Sequence, residues 1–172
     1  MRLCAALKGR EIMKRYIGTK IIEAVPAVRL GGTGGEVYEE GQPIPRSMGL
    51  REQGYKVRYP DGYESWSPKN VFEEAYRPTD AMSFGLAIEA AKKGKKITRR
   101  GWNGKGMWVI CRSGYPDGIP CNKNTADAVG IPEGTLFKVR PYLQMKCVDG
   151  TFQMWLASQS DILADDWEIV EE

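Results

Sequence analysis

A chain of 172 residues with 42% hydrophobic and 27% charged residues can build one medium domain or two small ones, and this composition excludes wholesale disorder. It contains no histidine, which removes the usual general base, the usual partner of a Ser or Cys nucleophile and the commonest transition-metal ligand, so most hydrolase chemistry is disfavoured. A formal charge of +3 is too small for a polyanion-coating protein.

Residues 1–13 read as an extension, because a second start-like sequence, Met13-Lys14-Arg15-Tyr16-Ile17-Gly18, leads into the first strand-like run. Charge arrives too early in Met1-Arg2-Leu3-Cys4-Ala5-Ala6-Leu7-Lys8 for a signal-peptide core, and no apolar run approaches the ~18 residues of a membrane helix. The expected location is therefore the cytoplasm of the cell that makes the protein. Tyr16 to Val28 has the β-branched richness of a strand. Gly31-Gly32-Thr33-Gly34-Gly35 through Pro45 reads as a loop, and no Lys-Ser or Lys-Thr follows to make it a phosphate loop. Gly54 to Tyr59, the turn Pro60-Asp61-Gly62 and Tyr63 to Trp66 form a hairpin. Ser67 offers an N-cap to a short helix with Val71, Phe72 and Ala75 on its apolar face. Residues 14–78 thus read as a small β-rich module without an assigned ligand, and residues 79–81 as a linker.

From Met82 onward the pattern changes. Ser83 is placed to cap a helix carrying Phe84, Ala87, Ile88 and Ala91, with Gly94 as its stop. Ile97–Arg100 and Met107–Arg112 read as strands around the loop Gly101 to Gly106. An excursion from Gly114 to Val139 holds turns at Pro116-Asp117-Gly118 and Pro132-Glu133-Gly134 and one helical turn near Thr125. Tyr142–Val148 and Thr151–Leu156 form a hairpin around Asp149-Gly150, Ser158 or Ser160 caps a short helix, and Trp167–Val170 closes as a strand. The fold class expected for residues 82–172 is α+β, an antiparallel sheet with short helices. Cys4, Cys111, Cys121 and Cys147 form no C-x-x-C pair, which speaks against a zinc site or a disulfide framework.

Charge is unevenly spread. Between Glu89 and Asp117 there is no acid, while Lys92, Lys93, Lys95, Lys96, Arg99, Arg100, Lys105 and Arg112 supply cations. Within that stretch, Arg99-Arg100-Gly101-Trp102-Asn103-Gly104-Lys105-Gly106 joins glycines that admit a ligand to the backbone, cations for phosphate, an indole for stacking and an amide for hydroxyls or a base edge. Taken alone, the same residues equally describe a core Trp102, an Asn103-Gly104 turn and solvated cations. A second candidate is Trp155-Leu156-Ala157-Ser158-Gln159-Ser160-Asp161, where a strand delivers an indole and a helix start offers N–H groups and polar side chains; an ordinary hydrophobic anchor and cap is the structural alternative. Trp167 beside Asp165 and Asp166 reads as core next to a solvated acidic turn. No pair of carboxylates suited to catalysis is visible.

These motifs, in their order, resemble the second family of phage Thoeris anti-defence proteins: Met82-Ser83-Phe84-Gly85-Leu86-Ala87, then Arg99 to Met107, then Trp155 to Asp161, then Leu163-Ala164-Asp165-Asp166-Trp167-Glu168. The resemblance covers residues 82–172. It implies a non-enzymatic sponge, acting in the cytoplasm of an infected bacterial host. Such a protein binds the cyclic ADP-ribose isomer made by a TIR-domain enzyme, glyco-cyclic ADP-ribose, and holds it intact, with cyclic oligonucleotide signals as a further ligand class in some relatives. It also implies a homotetramer with pockets between protomers, no cofactor, no metal, no membrane and no specific nucleic-acid partner. On this reading Trp102 and Trp155 wall the adenine and ribose. Asn103, Ser158, Gln159 and Asp161 make polar contacts, and Arg100 and Lys105 approach the pyrophosphate. A single-stranded nucleic-acid binder using the same residues is the alternative.

Overall fold

The computed structural model describes residues 19–46 and 49–170; the expected extension over residues 1–13 and the start of the first expected strand lie outside them. The fold is α+β, and every strand pairing is antiparallel.

Strands β1 (Glu23–Leu30), β2 (Val37–Glu39), β3 (Arg51–Arg58) and β4 (Glu64–Pro68) form a sheet in the order β2-β1-β3-β4. The β3–β4 hairpin turns at the expected Asp61-Gly62, where Gly62 takes φ 84°. β2 was not expected inside the glycine-rich segment. Its three residues pair with β1 from Ala27↔Glu39 to Arg29↔Val37. Helix α1 (Lys69–Ala75) begins one residue later than the sequence suggests. Ser67 belongs to β4, and the N-cap position falls to Pro68, which has no side-chain donor or acceptor to offer. Phe72 of this helix stacks between Tyr55 and Tyr76 at 4.1 and 4.8 Å.

Helix α2 (Phe84–Lys92) ends at Gly94 with φ 85°, as its sequence demands, though Ser83 makes no side-chain cap bond. Its small residues Ala87, Ala90 and Ala91 let it lie close against a five-stranded sheet. That sheet runs β10 (Phe152–Met154), β9 (Tyr142–Lys146), β6 (Trp108–Arg112), β5 (Ile97–Arg99), β11 (Trp167–Ile169). The core between them is Met82, Ile97, Val109, Met145, Ala164 and Trp167 together with the three alanines. Alternation along β6 sends Val109 into this core and Trp108 to the other face, where it meets Phe152 at 5.7 Å.

The excursion is a separate arm: β7 (Tyr115–Pro120), α3 (Lys123–Val129) and β8 (Leu136–Val139), with β7 and β8 forming their own two-stranded sheet. The Pro116-Asp117-Gly118 turn expected here is instead part of β7, absorbed by a register shift between Tyr115 and Ile119. α3 is longer than one turn, because Asn122 accepts from Thr125 N at 2.9 Å and starts the helix earlier. The last helix, α4 (Gln159–Ile162), sits between β10 and β11.

Candidate functional site

Three indoles and a phenyl ring meet where the β5–β6 loop, the segment after β10, and β11 converge beneath the start of α2. Trp102 packs edge-on against Trp155 at 5.9 Å and against Trp167 at 5.4 Å, Trp155 lies 6.0 Å from Trp167, and Phe84 touches Trp155 and Trp167 at 6.4 and 5.4 Å. Their burial is graded. Trp167 is sealed in the core at 0% exposure, whereas Trp102 and Trp155 are half-buried and present part of each ring to the surface. Trp167 is thus the anchor on which two accessible indoles are braced.

A polar network underlies the rings. Asp161, 7% exposed, accepts at Oδ1 from Trp102 Nε1 at 3.0 Å and Arg99 Nη1 at 2.8 Å, and at Oδ2 from Ser158 N at 3.0 Å and Ser158 Oγ at 2.6 Å. Its main-chain oxygen accepts from Trp167 Nε1 at 2.9 Å. Burial pushes the Asp161 carboxyl up, but the donors from Ser158, Trp102 and Arg99 outweigh it and bring it down to about 2. Arg99 also donates through Nε to Asp166 Oδ1 at 2.8 Å, and Asp166 Oδ2 accepts from Gly101 N at 2.7 Å. The hydrogen bond from Arg99 first, and then that from Gly101, hold the Asp166 carboxyl below its ordinary range despite burial. A Cβ on residue 101 would stand 2.7 Å from Asp166 Oδ2, so a side chain there would have to displace the carboxylate that accepts from Gly101 N.

The candidate residues therefore fall into two groups. Trp102, Trp155, Ser158 and Asp161 are brought together at the rings and their network. Arg100, Asn103, Lys105 and Gln159 are exposed on the same two segments. Ser158 and Asp161 form a reciprocal capping box, so the amides of both are already used; the free N–H groups expected at this helix start reduce to those of Gln159 and Ser160. Asp166 departs from the solvated turn read from the sequence, since it ties Arg99 to Gly101. Phe84 and Asp166 are parts of the site whose residue types did not single them out, and Arg99, read from the sequence as one of the loop cations for phosphate, is paired instead with Asp161 and Asp166.

Leu156, Leu163, Met154 and Ile162 flank the cluster with exposures of 92%, 74%, 71% and 50%. Among the described residues no group of three or more His, Cys, Asp or Glu is arranged to hold a metal ion. Among the described residues a cleft of about 760 Å³ lies elsewhere, between α1, the segment leading into β1, and α2. Its rim mixes Lys20, Arg77 and Lys93 with Glu73, Asp80 and Glu89, so no charge preference emerges, and the chemistry favours the indole cluster as the candidate site.

The model of the Thoeris anti-defense 2-like domain matches residues 82–170, a stretch holding the whole indole cluster and none of the four-stranded sheet. A protein of Bacillus phage SP01 described as Thoeris anti-defense 2 is 35% identical over 89 residues, covering 52% of this chain and 94% of that relative.

Proposed function

The chain belongs to the Thoeris anti-defense 2-like family, which sets it in phage anti-defence, and we propose that it acts there as a sponge: it binds glyco-cyclic ADP-ribose and withholds it from the Thoeris effector without cleaving it. The observation that carries this reading is the pair of partly exposed indoles, Trp102 and Trp155, braced edge-on on a sealed third. Indole faces suit a purine, and stacking on an aromatic ring contributes about 1–3 kcal/mol per base. Arg100 and Lys105, exposed on the loop that carries Trp102, are the cations for the pyrophosphate; Asn103 and Gln159 are the amides for ribose hydroxyls.

Capture needs affinity alone. Asp161, the most buried acid beside the rings, is held ionised near neutral pH and has no proton to give, which weighs against acid catalysis at this position. The exposed leucines, methionine and isoleucine around the cluster support assembly into a homotetramer in which a neighbouring protomer would build a pocket over the rings. The site of action is the cytoplasm of the infected host. Cyclic oligonucleotide signals are a second ligand class for the same surface.

The experiment is to incubate the purified protein with the product of a TIR-domain enzyme, filter away free small molecules, heat the retained protein and identify what it releases by mass spectrometry. Intact glyco-cyclic ADP-ribose in stoichiometric amount is expected. Release of a cleaved product, or retention of nothing, refutes the reading. Affinity that instead rises with the length of single-stranded DNA and collapses with salt assigns the indoles to nucleic-acid binding.

A further inference from the structure

Asp161 stands where the two candidate segments meet, yet its carboxylate has no acceptor site left open. A carboxylate offers about four lone-pair sites. Those of Asp161 are taken by Trp102 Nε1, Arg99 Nη1, Ser158 N and Ser158 Oγ. A ligand hydroxyl gains this carboxylate only by displacing one of them. We infer that Asp161 is a positioning residue: it fixes the Trp102 indole and the 101–106 loop against the 155–161 segment and does not itself touch the ligand.

An indole has a single polar handle, its Nε1–H, and whatever accepts from that atom selects the ring's orientation. For Trp102 the acceptor is Asp161 Oδ1, and the rotamer so chosen sets the ring at 70° to Trp155 and 78° to Trp167. Arg99 reinforces the arrangement from behind. It shares Oδ1 of Asp161, and through Asp166 it reaches the amide of Gly101, the residue next to Trp102. The strut Ser158, Asp161, Arg99, Asp166, Gly101 thus joins two segments more than fifty residues apart in sequence. If the indole turns away for part of the time, apparent affinity falls by the fraction of competent rings.

The ligand arm of the test rests on the capture reading; the spectroscopic arm does not. Asp161→Asn keeps the shape of the side chain and one acceptor oxygen while removing the charge and the acceptor for Ser158. Loss of a charge-assisted bond predicts at least about tenfold faster hydrogen exchange at the Trp102 indole N–H. The Trp167 indole N–H, which is held by a main-chain oxygen, is expected to be unchanged. In the capture assay with glyco-cyclic ADP-ribose, Asp161→Asn weakens binding about tenfold in the wild-type background and less than about twofold in a Trp102→Phe background, the non-additivity expected of an effect routed through the indole. Equal weakening in both backgrounds means the carboxylate meets the ligand and overturns the inference. So does unchanged exchange at Trp102, or exchange that rises equally at Trp102 and Trp167 and so reports general loosening. Should Asp161→Asn not fold, Ser158→Ala removes one donor to Oδ2 without altering charge, and the same selective rise at Trp102 is the expected result. A wild-type protein that retains no messenger refutes capture and leaves indole exchange to decide the positioning role.

Discussion

Replacing Trp102 by alanine tests the proposed function most directly, provided its cost to the fold is separated from its cost to binding. A fully buried tryptophan truncated to alanine costs about 3–5 kcal/mol. Trp102 is only half-buried, so its edge contacts with Trp155 and Trp167 put the loss at roughly 2–3 kcal/mol. For a domain of this size that lowers the melting temperature by roughly 8–24 °C. The binding cost is additional: one lost stack of about 1–3 kcal/mol weakens capture roughly 5- to 150-fold. Trp102→Phe keeps a ring but loses the Nε1 donor to Asp161, so affinity should order as wild type, phenylalanine, alanine. Titration calorimetry at least about 15 °C below the melting point of each variant keeps the folded fraction near one. If Trp102→Ala binds as tightly as wild type while its melting point falls by the packing loss, the indole is a core residue only and the site is misplaced.

Other perturbations separate the parts of the molecule. A Cβ at Gly54 would stand 2.2 Å from Ser67 O and 2.6 Å from Trp66 Cζ2, so Gly54→Ala should destabilise the four-stranded sheet by at least about 1–3 kcal/mol in urea melts. Capture should be untouched, and a parallel fall in affinity would tie the first sheet to the binding site. Removing the exposed charge in Arg100→Ala or Lys105→Ala should shift stability by no more than about 0.5 kcal/mol while weakening capture and flattening its salt dependence. Acid offers a fourth test. Asp161 titrates at about 2 in the fold against about 3.9 in an unfolded chain, so its contribution is complete above about pH 4 and disappears as pH falls through about 2. The loss of stability between those limits should be shallower in Asp161→Asn than in wild type, and identical profiles would remove Asp161 from the linkage.

Local chemistry was legible wherever it was self-sufficient. The hairpin of β9 and β10 could be read from Asp149-Gly150, and Asp149 Oδ1 indeed accepts from Thr151 N at 2.9 Å and Thr151 Oγ1 at 2.7 Å. The end of α2 could be read from Gly94. β2 could not, because three residues have no periodicity to display and exist as a strand only by pairing with β1. The same division runs through the site. Trp102, Trp155 and the loop cations could be named as candidates from residue type, since stacking and phosphate binding would draw on few side chains. Asp166 read as part of a solvated acidic turn because its partner, Arg99, is 67 residues away.

Distance in sequence also hides the partners of Asp161, whose bonds to Arg99 and Trp102 span 62 and 59 residues. In sequence Asp161 follows an indole and a run of polar residues, which is what a ribose-binding segment also contains. Only the fold reveals that four donors already converge on it, two of them from the β5–β6 segment. Burying an ionised group is tolerated when it is paired and fully hydrogen-bonded, and removing one partner of such a pair typically costs about 3–5 kcal/mol. Asp161 and Arg99, with side chains 10% and 15% exposed, meet that condition. A polar network in which every member is satisfied fixes the orientation of the ring it holds. Were the chain to capture a messenger as proposed, affinity would gain from aromatic walls ordered before the ligand arrives, because the ordering cost then falls on folding and not on association.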